Sequence, residues 1–301
     1  MPATPSFSLF CKTYAGDLRR AGRLIASIER HNRAGLPIFI STPRADQVQF
    51  INALGAERAN WVCDEDIIAV EPRQDGGRYA RWDGRLSQQV IKSEFWRLGV
   101  GDAYLCLDSD SEFIRDFSLD DFICPMSGTP FTVINQAKEL CQLADNRGIA
   151  KVRTHFLQDA AAMRERFGRR GPEFDFSPTP VVWSARVWRD LYEQWLAPRG
   201  MDFWDAIETF PSELRWYGEA LLKFRSIDLI PIEPLFRVYH YDWQYARLAA
   251  LGECRDTLAH NYLGVVMQSN WDFDMDSPGA RQKSLASRLV RRVRRAFARF
   301  R

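Results

Sequence analysis

The chain has 301 residues, 46% of them hydrophobic and 27% charged, with a net charge of +2. This is an ordinary globular composition, and no apolar run approaches the ~18 residues that a membrane-spanning helix needs. Residues 281–301 carry nine Lys or Arg and no acid, which leaves the other 280 residues with a net charge of −7. An acidic body of this kind argues against a nucleic-acid-binding protein.

The sequence also bears on the cellular compartment. Residues 1–8 lack the basic start and the long apolar run of a signal peptide. The cysteines are scattered and form no Cys-x-x-Cys pair; they are Cys11, Cys63, Cys106, Cys124, Cys141 and Cys254. Such thiols fit a reducing interior and argue against a structural zinc site, so we expect a cytoplasmic protein.

The N-terminal part of the chain alternates between strand and helix patterns. Helical spacing of apolar residues is found over residues 17–31, where Asp17 can cap the helix, and over residues 45–54. Strand patterns cover residues 6–14, 36–41, 60–63 and 67–70. This alternation predicts parallel strands joined by right-handed crossovers.

A loop rich in Gly, Arg and Asp is predicted over residues 72–84, and a helix over residues 85–98. Its apolar stripe would face the sheet. Its second stripe is polar, with helical spacing, and consists of Arg85, Gln88, Gln89 and Lys92. The polar stripe is either a solvated helix face or a path for phosphate groups, in which Arg85, Gln89 and Lys92 contact a nucleotide.

The strand predicted over residues 103–107 ends in two carboxylates, Asp108 and Asp110. A short apolar run is typical of a buried strand in a sheet covered on both faces, and ligands bind at the carboxyl ends of such strands. Two carboxylates one residue apart repel each other, and Mg²⁺ or Mn²⁺ shared with a substrate phosphate would relieve that repulsion. Asp-x-Asp pairs that begin at Asp64, Asp272 and Asp274 are alternatives, since most such pairs are solvated turns.

The second half continues the α/β pattern. Residues 138–170 are charged and poor in large apolar residues, which predicts an exposed, mobile helical lobe. Ser212 is a good N-cap for a helix that begins with Glu213. His240 lies in an aromatic cluster that covers residues 239–243. Further strands are predicted over residues 130–135 and 174–184, and a helix over residues 186–196.

The basic tail, residues 281–301, follows a main domain of residues 1–280. Its apolar residues fall on one helical stripe, and arginines cover the rest; the stripe consists of Leu285, Leu289, Val293, Phe297 and Phe300. A basic amphipathic helix binds anionic lipid. We therefore expect residues 284–301 to hold the protein peripherally on the inner membrane face, the alternative being a solvated tail.

Four sequence blocks resemble the GT-A-fold glycosyltransferases over roughly residues 6–245, with the closest likeness to a bacterial branch that shares their order. The blocks are Trp82 with Gln88-Gln89-Val90-Ile91-Lys92, Tyr104-Leu105-Cys106-Leu107-Asp108-Ser109-Asp110, Thr179-Pro180-Val181-Val182-Trp183, and Ser212-Glu213 with Tyr217-Gly218. The resemblance implies an α/β GT-A (Rossmann-like) fold, with a mixed, mostly parallel central sheet and helices on both faces. It implies an enzyme that moves a sugar from a nucleotide-sugar donor, commonly UDP-linked, to a glycan or lipid-linked acceptor in cell-surface polysaccharide synthesis.

The resemblance also implies roles for single residues. Asp108 and Asp110 match the Asp-x-Asp motif that holds Mn²⁺ or Mg²⁺ against the donor diphosphate, and Asp108 could also bind the ribose. Many members take a further metal ligand from a late histidine, here His240 or else His260, although a lone histidine is often packed or on the surface. The end of the first strand commonly contacts the base and ribose, which points to Lys12, Thr13 and Tyr14.

An inverting transferase needs a general base beside the acceptor hydroxyl, whereas a retaining one does not. Glu213 is our candidate base and Glu219 the second choice, while Asp110 would act catalytically through the cation. The simpler explanation for Glu213 is that the helix dipole favours an acid in the first turn.

Two other functions stay open from sequence alone. Phosphohydrolases of the haloacid-dehalogenase kind also place Asp-x-Asp after a strand, but after the first strand of their fold. A non-catalytic nucleotide- or lipid-binding module would keep the fold and present the basic tail to lipid.

Overall fold

The structure is a computed structural model that describes residues 6–71, 76–146, 148, 150–240 and 242–268. Its strands are β1 (Phe7–Lys12), β2 (Ile38–Thr42), β3 (Asn60–Cys63), β4 (Ala103–Asp108), β5 (Ser111–Phe113), β6 (Thr132–Val133), β7 (Val181–Ser184), β8 (Pro231–Ile232), β9 (Phe236–Tyr239) and β10 (Gly264–Met267). Its α-helices are α1 (Leu18–His31), α2 (Arg44–Leu54), α3 (Asp64–Ile68), α4 (Gly76–Arg81), α5 (Gly84–Glu94), α6 (Lys138–Asn146), α7 (Ala150–Arg166), α8 (Ala185–Leu191), α9 (Phe203–Thr209), α10 (Glu213–Phe224), α11 (Asp242–Ala250) and α12 (Arg255–Leu258).

The central sheet has five strands in the order β3-β2-β1-β4-β7. β1 pairs in parallel with β2 and β4, and β2 with β3, whereas β7 runs antiparallel to β4. The parallel strands therefore end at one edge of the sheet, and β7 begins there. The predicted mixed, mostly parallel sheet is confirmed.

Both faces of the sheet are covered, as its apolar strands require. Successive residues of β1 enter different cores: Phe10 packs with α5, α8 and α10, whereas Leu9 and Cys11 pack with α1 and the smaller sheet β5-β10-β9. In that smaller sheet β10 pairs antiparallel with β5 and parallel with β9. It therefore fixes the chain directly after Asp110.

Several predicted boundaries were wrong. The strand piece over residues 67–70 lies in and after α3, whose first turn holds acids that the helix dipole favours, including Asp64. The predicted loop over residues 72–84 contains α4. The strand over residues 130–135 shrinks to β6, which pairs with the equally short β8.

The lobe of α6 and α7 leaves and rejoins the body at one place. Asn135 and Asp175 exchange two backbone hydrogen bonds, of 2.9 and 2.8 Å, across its base. The end of the lobe is not exposed as predicted, because Met163 and Phe167 are fully buried and the Phe167 ring contacts Trp216 of α10. The sequence pattern missed this because only a few apolar residues carry the contact.

Three further expectations concern the cysteines, the membrane and the tail. Every cysteine is free, but only Cys11, Cys63 and Cys106 are buried, and Cys254 is exposed. Among the described residues, no helix combines the length and apolar character that crossing a bilayer requires. Residues 281–301 lie outside the described residues, so the amphipathic helix stays a prediction.

Gly218 lies where α10 approaches Phe176. A Cβ atom at Gly218 would lie 2.1 Å from Cγ of Phe176, whose ring is buried. We therefore expect Gly218→Ala to destabilise the protein by about 1–3 kcal/mol, because overpacking outweighs the better helix propensity of alanine. Urea unfolding measures this change.

The control is Gly84→Ala, since a Cβ atom at Gly84 would meet nothing within 4 Å. It should be neutral or slightly stabilising. Adding Phe176→Leu to Gly218→Ala should recover part of the loss, and equal stability of Gly218→Ala and the parent protein would contradict the packing argument.

Candidate functional site

The carboxyl ends of β1 and β4 open into a cavity of about 800 Å³, which we call the motif cavity. Lys12 and Asp108 end these strands and are partners in the parallel register. Ligands of open α/β sheets bind at this edge. The predicted site residues that line the cavity are Lys12, Thr13, Tyr14, Arg85, Asp108 and Asp110.

Asp108 is held by two donors from different parts of the chain. Lys92 Nζ lies 2.5 Å from Oδ1, and the Thr179 hydroxyl donates to Oδ2. Burial alone would raise the pKa of Asp108, but the Lys92 ammonium outweighs that effect and holds the pKa below its usual value. Asp108 is therefore an ionised carboxylate with both oxygens engaged.

Glu213 is the second acid near Lys92, with Oε1 3.8 Å from Nζ. It begins α10, where Ser212 caps the helix by accepting a hydrogen bond of 3.3 Å from the Arg215 N–H. Burial raises the pKa of Glu213, and Lys92 opposes that rise. Lys92 thus lies buried between two carboxylates rather than on a solvated helix face.

The rest of the Asp108-Ser109-Asp110 motif is fixed by α1 and β10. Ser109 Oγ donates to Asp17 Oδ2 at 3.0 Å, and Arg20 Nη1 lies 2.5 Å from Asp17 Oδ1. The Asp110 carbonyl accepts from the Met267 N–H at 3.1 Å. The sequence suggested Asp17 only as a helix cap; it makes no side-chain cap bond and positions the motif instead.

The competing pair at Asp64 and Asp66 is turned apart. Asp64 is fully buried, 2.7 Å from Lys12 Nζ and 2.5 Å from the Tyr79 hydroxyl. Asp66 is exposed and pairs with Arg44. The ammonium of Lys12 therefore serves the fold, and this Asp-x-Asp pair forms no shared site.

The other predicted contacts divide between cavity and helix. Tyr14 is 54% exposed. One edge of its ring lies against Gly16, where a Cβ atom would be only 2.5 Å from the ring. That ring can stack on a flat ligand. On α5, Gln88 lines the motif cavity together with Arg85, whereas Gln89 donates to the Arg85 carbonyl at 3.3 Å and does not line it.

His240 lies on the wall of a different cavity, of about 860 Å³, which we call the His240 cavity. Its backbone N–H donates to Gln244 Oε1 at 2.9 Å. Within the part of the chain that the structure describes, no three His, Cys, Asp or Glu side chains are grouped to hold a metal ion. His240 therefore does not form a metal-binding group with Asp108 and Asp110. His260, the alternative, is exposed.

A third cavity, of about 700 Å³, lies on the other side of Asp110 and is called the arginine cavity here. Its basic lining residues are Arg19, Arg20, Arg23 and Arg255, and its acidic ones are Asp110, Glu112 and Glu253. Both oxygens of Glu112 accept from Arg255, at 2.6 and 2.7 Å. Asp110 thus lines two cavities at once.

The motif fits a hard divalent cation. Asp110 lines the motif cavity, and a single residue separates it from the ionised Asp108. Mg²⁺ is usually bound by one or two carboxylates with substrate phosphates and water, rather than by an all-protein cage. A cluster of three protein ligands is therefore not required.

Comparisons with known proteins give structural likenesses and a family. The fold is similar to apo mouse xyloside xylosyltransferase 1, with 11% identity, a TM-score of 0.45, and coverage of 89% of this chain and 99% of that one. It is also similar to the apo bifunctional glycosyltransferase WbbM, with 11% identity, a TM-score of 0.46, and coverage of 89% of this chain and 47% of that one. No curated protein matches the sequence.

The sequence also matches a known protein family. The match covers residues 6–246, which include the central sheet, α5, the Asp108-Ser109-Asp110 motif, Thr179, Glu213 and His240. The chain belongs to DUF6492, a family of unknown function.

Proposed function

We propose that this chain is a metal-dependent glycosyltransferase that uses a nucleotide-sugar donor. The observation that carries the proposal is the motif cavity, where Asp108 ends β4 and Asp110 follows it, beside the residues that follow β1. The resemblance of the motif blocks to GT-A-fold enzymes points to the same chemistry.

The cavity suggests how the donor lies. Tyr14 offers an exposed ring for the base, and Lys12 and Thr13 line the part of the cavity where the ribose would lie. Asp110, with Asp108, would hold Mn²⁺ or Mg²⁺ at the diphosphate. The cation, when bound, would stabilise the negative charge that develops on the departing diphosphate.

The reaction replaces one bond to the anomeric carbon with another. The C–O bond to the diphosphate breaks with its electron pair, the acceptor hydroxyl oxygen bonds to the same carbon, and the hydroxyl proton leaves. Arg85 at the cavity mouth would add positive charge near the leaving group, and Lys92 keeps Asp108 ionised and in place. Gln89 also lies on α5, and its side-chain amide donates to the Arg85 carbonyl. It would therefore support this side of the motif cavity rather than contact the donor.

Glu213 is the proposed base if the reaction inverts the anomeric carbon. Its pKa is raised by burial, which suits a group that takes a proton near neutral pH. Arg169 engages both carboxylate oxygens of Glu219, at 2.6 and 2.9 Å, which makes that residue the weaker candidate.

The remaining parts of the proposal concern the setting. UDP is the proposed donor nucleotide, and the acceptor a glycan or a lipid-linked glycan of cell-surface polysaccharide synthesis. Residues 284–301 would hold a cytoplasmic enzyme on the anionic inner face of the membrane. Vesicle binding by the full chain, compared with a chain that ends at residue 280, tests that part separately.

The nucleotide test is a thermal-shift screen of UDP, GDP and CDP with and without Mn²⁺. We expect UDP with Mn²⁺ to raise the melting temperature, since a ligand at 100 times its Kd adds about 2.7 kcal/mol of stability. UDP without metal should have little effect. Equal shifts by all three nucleotides, or none with any, would remove the support for a UDP-sugar donor.

A second prediction concerns His240, which lies away from the two aspartates. We expect His240→Ala to leave the Mn²⁺ concentration needed for UDP binding within about twofold of its original value, a change of about 0.4 kcal/mol. Titration of Mn²⁺ at fixed UDP measures it, with His260→Ala as the matched control. A tenfold rise for His240→Ala alone would restore His240 as a metal ligand.

A further inference from the structure

The order of the strands indicates which way a donor would lie in the motif cavity. Pro43 and Asp46 follow β2, Tyr14 follows β1, and Asp108 ends β4, and all four line this cavity. If the nucleoside lies at Tyr14 and the diphosphate at Asp108, as the proposed function requires, the transferred sugar points to the next strand. That strand is β7.

The segment that leads into β7 joins two cavities. Thr179 donates to Asp108 in the motif cavity, whereas Ser177 and Pro178 line the His240 cavity. A sugar held beside Asp108 would therefore lie next to the segment that borders the His240 cavity. The arginine cavity lies instead beyond Asp110, toward α1 and α12.

The charges of the His240 cavity are balanced. Its basic lining residues are Lys138 and Arg237, and its acidic ones are Asp175 and Glu233. The arginine cavity, in contrast, has four arginines against three acids. A balanced lining suits an uncharged ligand, because it offers hydrogen bonds without a net field for an anion or a cation.

The polar groups of the His240 cavity suit hydroxyl-rich ligands. Gln136 and Asn261 supply amides that both donate and accept, and the half-buried Tyr262 supplies an aromatic ring. Asp175 is 6% exposed, and its oxygens accept from Ser177 N and Oγ at 3.3 and 2.7 Å. A carboxylate has about four acceptor sites, so Asp175 keeps capacity for a sugar hydroxyl.

We propose that the His240 cavity is the acceptor subsite of this enzyme and that it takes an uncharged carbohydrate. The orientation of the acceptor relative to the donor rests on the proposed function, whereas the binding of a carbohydrate in the His240 cavity does not. It assigns His240 to the acceptor side of the reaction instead of to the metal.

The test is direct binding to the full chain, measured by saturation-transfer NMR. The uncharged probes are the methyl glycosides of glucose, galactose, mannose and N-acetylglucosamine; the anionic probes are methyl glucuronoside and glucose 1-phosphate. Gln136→Trp places a large ring at the cavity wall, and Gln49→Trp makes the same change at an exposed position outside it. We expect at least one uncharged glycoside to bind and to lose affinity by about tenfold in Gln136→Trp, or about 1.4 kcal/mol, but not in Gln49→Trp.

Three results would overturn the proposal: no uncharged glycoside binds, Gln136→Trp binds like Gln49→Trp, or only anionic probes bind and Arg23→Ala abolishes that binding. The last result would move the acceptor to the arginine cavity. Failure of the proposed function is recognised separately, because it shows as absent Mn²⁺-dependent UDP binding. Where transfer is observed, Gln136→Trp should raise the acceptor KM far more than the donor KM.

Discussion

Asp110→Asn should lower both donor hydrolysis and sugar transfer by about 10²–10³-fold, because the carboxylate that we propose as the holder of the cation at the diphosphate becomes a neutral amide. The change is nearly isosteric. The backbone bond from Met267 to the Asp110 carbonyl does not involve the side chain, so the fold should be kept. Release of UDP from UDP-sugars, followed with and without Mn²⁺, measures the effect.

The matched control is Asp66→Asn in the competing Asp-x-Asp pair. The Asp66 side chain is 56% exposed and pairs with Arg44, an arrangement of the kind that contributes about 0–1 kcal/mol. Activity should stay within about twofold of the parent, a change of about 0.4 kcal/mol. If Asp110→Asn keeps full metal-dependent activity, the assignment of the site is wrong.

Lys92→Met should destabilise the protein by about 3–5 kcal/mol, because it removes the cation from between two carboxylates. Lys92 Nζ lies 2.5 Å from Asp108 and 3.8 Å from Glu213, and its side chain is 4% exposed. Without the ammonium, Asp108 loses the group that keeps its pKa low. Urea unfolding at neutral pH measures the loss.

Lys223→Met is the control, because Lys223 is exposed on α10 and the substitution is the same. It should change stability by less than about 0.5 kcal/mol. Adding Glu213→Gln to Lys92→Met should recover part of the loss, since one uncompensated charge is removed. A loss for Lys92→Met no larger than for Lys223→Met would show that the ion pair does not stabilise the fold.

The sequence was informative where local pattern and burial agree. The run that ends at Asp108 is apolar throughout, as a strand covered on both faces requires, and β4 is such a strand. Helical spacing placed Lys92 and Arg85 on one side of α5, and both lie near the motif. The mostly parallel sheet followed from the alternation of strands and helices.

The sequence was silent where distant segments meet. Thr179 contacts Asp108 only because β7 runs antiparallel beside β4, and pairing between strands so far apart leaves no local pattern. The sequence indicated Asp17 only as a helix cap, since its bond to Ser109 joins the residue before α1 to the distant motif. The same limit applies to His240, whose cavity is formed by several separate segments.

The two backbone hydrogen bonds between Asn135 and Asp175 have a consequence for how this family could diversify. They join the first and last residues of the segment that holds the helical lobe. The two ends of the lobe therefore stay at the same positions beside the sheet, whatever length of chain lies between them. Insertions or recombination within the lobe would remodel one rim of the His240 cavity while the sheet edge that carries Asp108 keeps its register, provided that residues equivalent to Met163 and Phe167 still anchor the lobe.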